Sequence, residues 1–195
     1  MTALAWLVAG LFGGPDAAAL RLGFIPARLS GGELPVAAVP ALLTPLSSTL
    51  VHGNFAHLAF NLLIFSWCGT AVERVLGRWA LVGVYVAGAY GAALAMWLSD
   101  PLGITPTIGA SGAVSAVIGA FALSFGRPRQ IVRSASANRW INAAWLLAAW
   151  VVLQIAIGWL GRSEGYLLAT PAHVGVFLAG LLLQRPLLLW RYRSA

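Results

Sequence analysis

Apolar positions along this chain fall in long unbroken runs, not at the alternating or three-to-four spacing of a soluble strand or helix. A membrane span takes about 20 apolar residues. Five runs qualify: roughly Phe55–Val72, Trp79–Leu98, Thr107–Phe125, Trp140–Leu160 and Tyr166–Leu183. A sixth, Met1–Leu22, is interrupted by Gly13-Gly14-Pro15-Asp16 and reads as a short, broken first helix. The pattern predicts an all-α membrane protein, a six-transmembrane-helix bundle in one domain over residues 1–195, with no room for an extramembrane domain. Between the first two spans lies Gly23–Val51, which carries Pro26, Pro35, Pro40 and Pro45 and holds apolar pieces such as Val36–Leu43 that are too short to cross. Irregular backbone is not tolerated against lipid. This long outer loop is therefore expected to be ordered and partly embedded in the protein.

Composition agrees. The chain is 60% hydrophobic and 9% charged, where a soluble domain carries about 25% charged residues. The net charge of +7 does not indicate nucleic acid, because the basic residues sit beside the ends of apolar runs, where they orient a membrane protein. All twelve are arginine. With a cytoplasmic N-terminus and six crossings, the cytoplasmic side holds Arg74, Arg78, Arg127, Arg129, Arg133, Arg139, Arg185, Arg191 and Arg193. The other side holds Arg21, Arg28 and Arg162. This bias puts both termini in the cytoplasm. The N-terminus lacks the basic start and A-x-A site of a cleavable signal. Trp79, Trp140, Trp159 and Trp190 fall near span ends, as interfacial anchors do. Arginine-only basicity suggests a bacterial cytoplasmic membrane.

That topology gathers the chemistry. Spans two, four and six run in the same direction, so their N-terminal ends share one face. At those ends lie His52, His57 and Asn61, then Ser111, then His173, and these are all three histidines of the chain. From Ser111 to Phe125 a helix covers roughly 22 Å of a core about 30 Å thick, so Ser111 sits on the order of 8 Å below the outer interface. His173 comes out at a similar or slightly greater depth. A serine at a helix start lies beside N–H groups without intrahelical partners and at the positive end of the dipole. Gly109 and Gly112 flank it and allow a tight turn and close approach of a substrate backbone. His57 and Asn61, four apart, share a helical face. A nucleophile needs a base and donors for the developing oxyanion, and this set supplies candidates for each. No carboxylate is placed to orient His173: Glu73 is at the opposite end and Asp100 lies in a loop. A Ser–His dyad therefore fits better than a triad.

Each piece has a plainer reading. Gly, Ala and Ser are common where membrane helices touch. His173 can serve as an interhelical hydrogen-bonding group, His52 as a loop tether, and His57 with Asn61 as a polar clamp. Together at one depth, they are poorly explained by packing alone. Cys68 stands by itself, which excludes an internal disulfide and a cysteine metal site. Without H-E-x-x-H or a nearby carboxylate a zinc protease is excluded as well, and no metal or cofactor is expected.

The segments His52-Gly-Asn-Phe-Ala-His57-Leu-Ala-Phe-Asn61, Gly109-Ala-Ser111-Gly112 and Ala172-His173 with Gly180, in this order and spacing, resemble the rhomboid intramembrane serine proteases over about Val51 to Leu183. The resemblance implies a six-helix core, a Ser111–His173 dyad, and an oxyanion site formed by the Ser111 N–H, His57 and Asn61. It further implies cleavage of single-pass membrane proteins near their outer end within the lipid bilayer. The chain departs from the family pattern in several places. Val176 stands where a glycine often lets the last helix approach the fourth. Ser115 stands where some members stack a tyrosine on the histidine. The Trp-Arg motif of the first outer loop is missing, and the first span is broken. These departures define the alternative, a rhomboid-like protein that binds transmembrane helices without cutting them.

Overall fold

The computed structural model describes residues 13–33, 37–123, 130–161 and 170–193. Its helices are α1 (Pro15–Leu22), α2 (Pro26–Leu29), α3 (Thr44–Ser47), α4 (Phe55–Leu76), α5 (Arg78–Ser99), α6 (Ser111–Ala122), α7 (Ala135–Gly161) and α8 (Thr170–Arg191). Single 3-10 turns occupy Ala41–Leu43 and Ser48–Leu50. The described chain is all-α, apart from one antiparallel bridge between Phe24 and Thr107. Three helices, α4, α5 and α8 from Ala172, are long and apolar enough to cross a membrane, and the protein is an integral membrane protein. Met1–Phe12, which make up most of the first apolar run, lie outside the described residues. So do Pro35, Arg127, Arg129, Arg162 and Tyr166.

Local chemistry sets the helix ends. Asn54 caps α4, its side-chain oxygen accepting the His57 N–H at 2.8 Å. Gly77, at φ +90°, reverses the chain in one residue between α4 and α5, a backbone region open mainly to glycine. At the start of α7, the Ser134 hydroxyl accepts the Ala137 N–H at 3.2 Å. The Asn138 amide oxygen accepts the N–H groups of Ile131 and Val132, and its nitrogen donates to the Val132 carbonyl.

The apolar run expected to form a span from Thr107 is helical only from Ser111, giving a helix of 12 residues. Every residue of α6 except Phe121 is buried, and α4, α5, α7 and α8 all pack against it. The outer helices turn large side chains outward, with Trp67 72% and Leu182 70% exposed. The centre is built of Gly, Ala, Ser, Val and Ile. Lipid is as apolar as the core, so small residues that let backbones approach do the work of association.

Two glycines fix the tightest contact. A Cβ at Gly119 on α6 would run into the Phe177 carbonyl, and one at Gly180 on α8 into the Ala116 carbonyl. On α5, a Cβ at Gly88 would lie 2.9 Å from the Ala113 Cα. Val176, where the family resemblance calls for glycine, is buried and directed at α5. There Gly91 makes room: a Cβ on it would sit 3.0 Å from Val176 Cγ1. Gly175 meets nothing within 4 Å. The close approach of α8 to α6 is made at Gly180, one turn beyond Val176.

The segment from Gly23 to Val51 is folded onto the bundle. Phe24 and Ile25 are buried. The Phe24 N–H donates to the Thr107 carbonyl at 2.9 Å and receives the Thr107 N–H on its own carbonyl at 2.7 Å. Farther along, the Ala27 N–H donates to Gly103 at 3.0 Å, the Tyr90 hydroxyl to Leu42 at 3.0 Å and the Trp97 indole to the Ser30 hydroxyl at 3.0 Å. The irregular backbone of this segment and of the stretch ahead of α6 is satisfied by this lacing, as a water-poor setting demands. At the opposite end of the bundle, Arg78 lies over Trp79, Arg191 over Tyr192 and Arg193 over Trp190, at 5.1 to 5.7 Å.

Candidate active site

Ser111 opens α6, and its position is set by the residues before it. Gly109 takes φ +105°, and a Cβ there would meet the His57 ring at 2.6 Å. Only glycine permits that backbone and that neighbour. The Gly109 N–H donates to the Ser48 carbonyl at 2.9 Å. The Ala110 N–H points at His52 Nε2 over a long 3.5 Å. A Cβ at Gly112 would lie 2.5 Å from the Ala92 Cβ. Gly109 makes the tight turn expected of it, and the two glycines leave room for the His57 ring and for α5.

His173 enters from the first turn of α8. Its Nε2 lies 3.0 Å from Ser111 Oγ, and both residues are buried. The distance follows from the Gly119–Gly180 contact two turns deeper, which brings the two helix axes together. A neutral imidazole nitrogen at hydrogen-bonding distance from a hydroxyl is the arrangement in which a serine can lose its proton during attack on a carbonyl.

The other polar residues gather round this pair. Asn61 is buried, and its amide nitrogen donates to the His57 carbonyl at 3.0 Å. One of its two amide hydrogens is thus used within α4. The His57 and His52 rings meet edge to face, centroids 4.9 Å apart. His52 lies in the loop ahead of α4. Burial, and after it the neighbouring His57, lower its pKa to about 4, so it is neutral at pH 7. A cavity of about 300 Å³ is lined by Thr49, Leu50, Asn61, Tyr85, Ala110 and Val114 among others. It lies between α4 and α5 against the start of α6, where Ala110 is the neighbour of Ser111. All seven residues picked out in the sequence, His52, His57, Asn61, Gly109, Ser111, Gly112 and His173, are brought into this one region.

Two residues here were not singled out as partners in the sequence. Ser115 is wholly buried one turn after Ser111 and donates to the Ser111 carbonyl at 2.7 Å. The indole N–H of Trp150, on α7, donates to the Ser115 hydroxyl at 2.8 Å. The i, i+4 spacing of the serines is legible in the chain. The arrival of Trp150 from 35 residues away is not. Among the described residues no cluster of three or more His, Cys, Asp or Glu side chains is arranged to hold a metal ion.

Comparison with known proteins gives the family. The Rhomboid domain matches residues 41–190. RHOMBOID-like protein 5 of Arabidopsis thaliana is 30% identical over 144 residues, covering 74% of this chain and 43% of that protein. Rhomboid protease GluP of Bacillus subtilis is 39% identical over 79 residues, 40% of this chain and 14% of its own length. Rhomboid protease AarA of Providencia stuartii is 33% identical over 86 residues, 37% of this chain and 31% of its own. The chain thus spans less than half the length of these relatives. No solved structure matches. With the family domain extending over most of its length, from the end of the proline-rich loop through α8, the chain belongs to the rhomboid family.

Proposed function

We propose that this protein is an intramembrane serine endopeptidase that hydrolyses peptide bonds of single-pass membrane proteins near the outer membrane face. The observation that carries this reading is the buried 3.0 Å contact between Ser111 Oγ and His173 Nε2. Ser111 attacks the scissile carbonyl while His173 takes its proton. His173 then protonates the leaving amine, and an acyl ester on Ser111 remains. Water, activated by the same imidazole, hydrolyses that ester and frees the serine. No metal or cofactor takes part.

The tetrahedral oxyanion would be met by the Ser111 N–H, unpaired at the helix start, by His57, and by the second amide hydrogen of Asn61. Loss of either side chain is expected to cost about 10² to 10³ in rate, roughly 3–4 kcal/mol of transition-state stabilisation. His52, Gly109 and Gly112 act as supports: they hold the turn ahead of Ser111 and the packing beside it. A substrate helix has to unwind to present a carbonyl, which favours sequences with small or helix-breaking residues at the cut. For a six-span bundle, the arginine asymmetry supports the long loop outside and both termini in the cytoplasm, and the arginine-only basicity suggests a bacterial cytoplasmic membrane.

The test is cleavage of a model single-span substrate by the purified protein in lipid vesicles, beside Ser111→Ala and His173→Ala. The parent should cut and both variants should fall to background. Equal cutting by all three would sink the dyad. Binding of substrate by the parent without cutting would favour a rhomboid-like protein that holds transmembrane helices.

A further inference from the structure

The hydrogen-bonded chain from Trp150 through Ser115 to Ser111 has no part in the chemistry above, yet it ends on the residue that would perform it. Its direction is fixed. An indole N–H can only donate, so the Ser115 oxygen accepts it and the Ser115 proton goes to the Ser111 carbonyl. All three residues are buried, with Trp150 7% exposed. The chain joins two helices at three points in series: α7, the second turn of α6, and the first residue of α6, whose Oγ faces His173.

We propose that Trp150 and Ser115 are positioning residues: the docking of α7 through the indole sets the first turn of α6, and so the aim of Ser111 Oγ at His173 Nε2. The inference rests on the protease reading of that pair.

Three observations carry it. First, among the described residues the buried apolar side chains of α7 are Ala143 and Trp150, with Leu146, Leu147 and Leu153 half-buried against the same core, and the second hydrogen bond given to α6, from Asn142 to the Ala122 carbonyl, is 3.5 Å long and at the far end of that helix. Second, the residue ahead of α6, Ala110, has no side chain able to cap the helix. The orientation of the first turn is therefore left to contacts from neighbouring elements. Third, a serine that bonds back to the carbonyl four residues earlier tends to bend a helix and destabilise it slightly. Alanine would fill the same space in α6 at lower cost. The hydroxyl is needed because a buried indole requires an acceptor, and meeting that requirement ties α7 to Ser111.

A purely structural role would be felt in stability alone, so the test separates stability from reactivity. The variants are Trp150→Phe, Ser115→Ala and the double variant, in the full chain in lipid vesicles. Four quantities are read: kcat and KM on a single-span substrate, the rate at which a fluorophosphonate labels Ser111, and Tm. Each single variant should lower kcat and labelling on the order of tenfold, the scale of a small misplacement of a reacting group. KM should stay within about twofold, since the ground-state contacts are intact. Ser115→Ala leaves a buried indole N–H unpaired and should lower Tm. The double variant removes both partners and should recover most of that loss, yet remain as slow as the slower single variant.

Parent-like labelling in both single variants would overturn the proposal. So would activity that recovers with Tm in the double variant, which would mark a stability effect only. A parent that is neither labelled nor active would remove the protease reading and this inference with it. A labelled parent with unaffected variants would remove this inference alone.

Discussion

Helix α6 is gripped on two sides in opposite ways. Against α8 the backbones themselves touch: Gly119 faces the Phe177 carbonyl and Gly180 faces the Ala116 carbonyl, with no space for even one methyl group. Against α7 the contact runs through a large side chain, Trp150, and a hydroxyl. A backbone contact has no rotamers and cannot adjust, so it suits a distance that has to be held, here the 3.0 Å between Ser111 and His173. A contact through an indole and a hydroxyl is directional, so it suits an orientation. On the proposals above, one interface sets the distance between the pair, and the other the aim of Ser111 within it.

The comparison breaks most sharply at the glycines. Gly119→Val or Gly180→Val should force α6 and α8 apart, costing at least about 3 kcal/mol, the upper range for overpacking a tight interior. Cleavage should vanish while an enlargement by the same three carbons on the α7 side, Ala143→Leu, leaves it measurable. Thermal unfolding and substrate cleavage on the same preparations check both. If the glycine variants stay active, the distance is being held by something other than that contact.

A smaller effect is expected where the family's usual small residue has been exchanged. Val176 fills space that Gly91 leaves open on α5. Val176→Ala should therefore destabilise by about 2 kcal/mol through an unfilled cavity. If it raised stability instead, Val176 would be overpacked, and the Val176–Gly91 fit would not describe the interface.

The next effect is one of pH. His52 titrates at about 4 when folded, against 6.5 unfolded. Between those values the unfolded chain binds the proton and the folded chain does not, so stability falls as pH drops from about 6.5 to about 4 and is level above that window. The slope is roughly 1 kcal/mol per pH unit, and His52→Gln should flatten it by that amount in Tm measured against pH. An unchanged slope would mean that His52 becomes protonated in place. The smallest effect belongs to Asn142→Ala, whose 3.5 Å bond to Ala122 is worth at most about 0.5 kcal/mol. A larger loss would show that α7 is held more firmly than the comparison allows.

Much of the arrangement could be read from the chain because it depends on local composition. Long apolar runs announce helices. Arginines at their ends order them, and that order alone puts His52, His57, Asn61, Ser111 and His173 at one level. What was hidden is pairwise. Gly175 and Gly180 look alike in sequence, yet one faces open space and the other a carbonyl. Val176 reads as a departure until Gly91, on a helix far earlier, is seen to receive it. Ser111 opens α6, as its chemistry suggests, but the apolar run begins four residues earlier because Thr107-Ile108-Gly109-Ala110 is uncharged. Its backbone pairs with Phe24 and Ser48 instead, and hydropathy carries no trace of such partners.

The separation of Ser111 and His173 along the chain has a consequence for biosynthesis. The serine is synthesised 62 residues before the histidine. On the proposed mechanism, a nascent or truncated product that stops short of α8 would carry the nucleophile without its base, and would stay inert beside every other chain entering the membrane until that helix has been inserted.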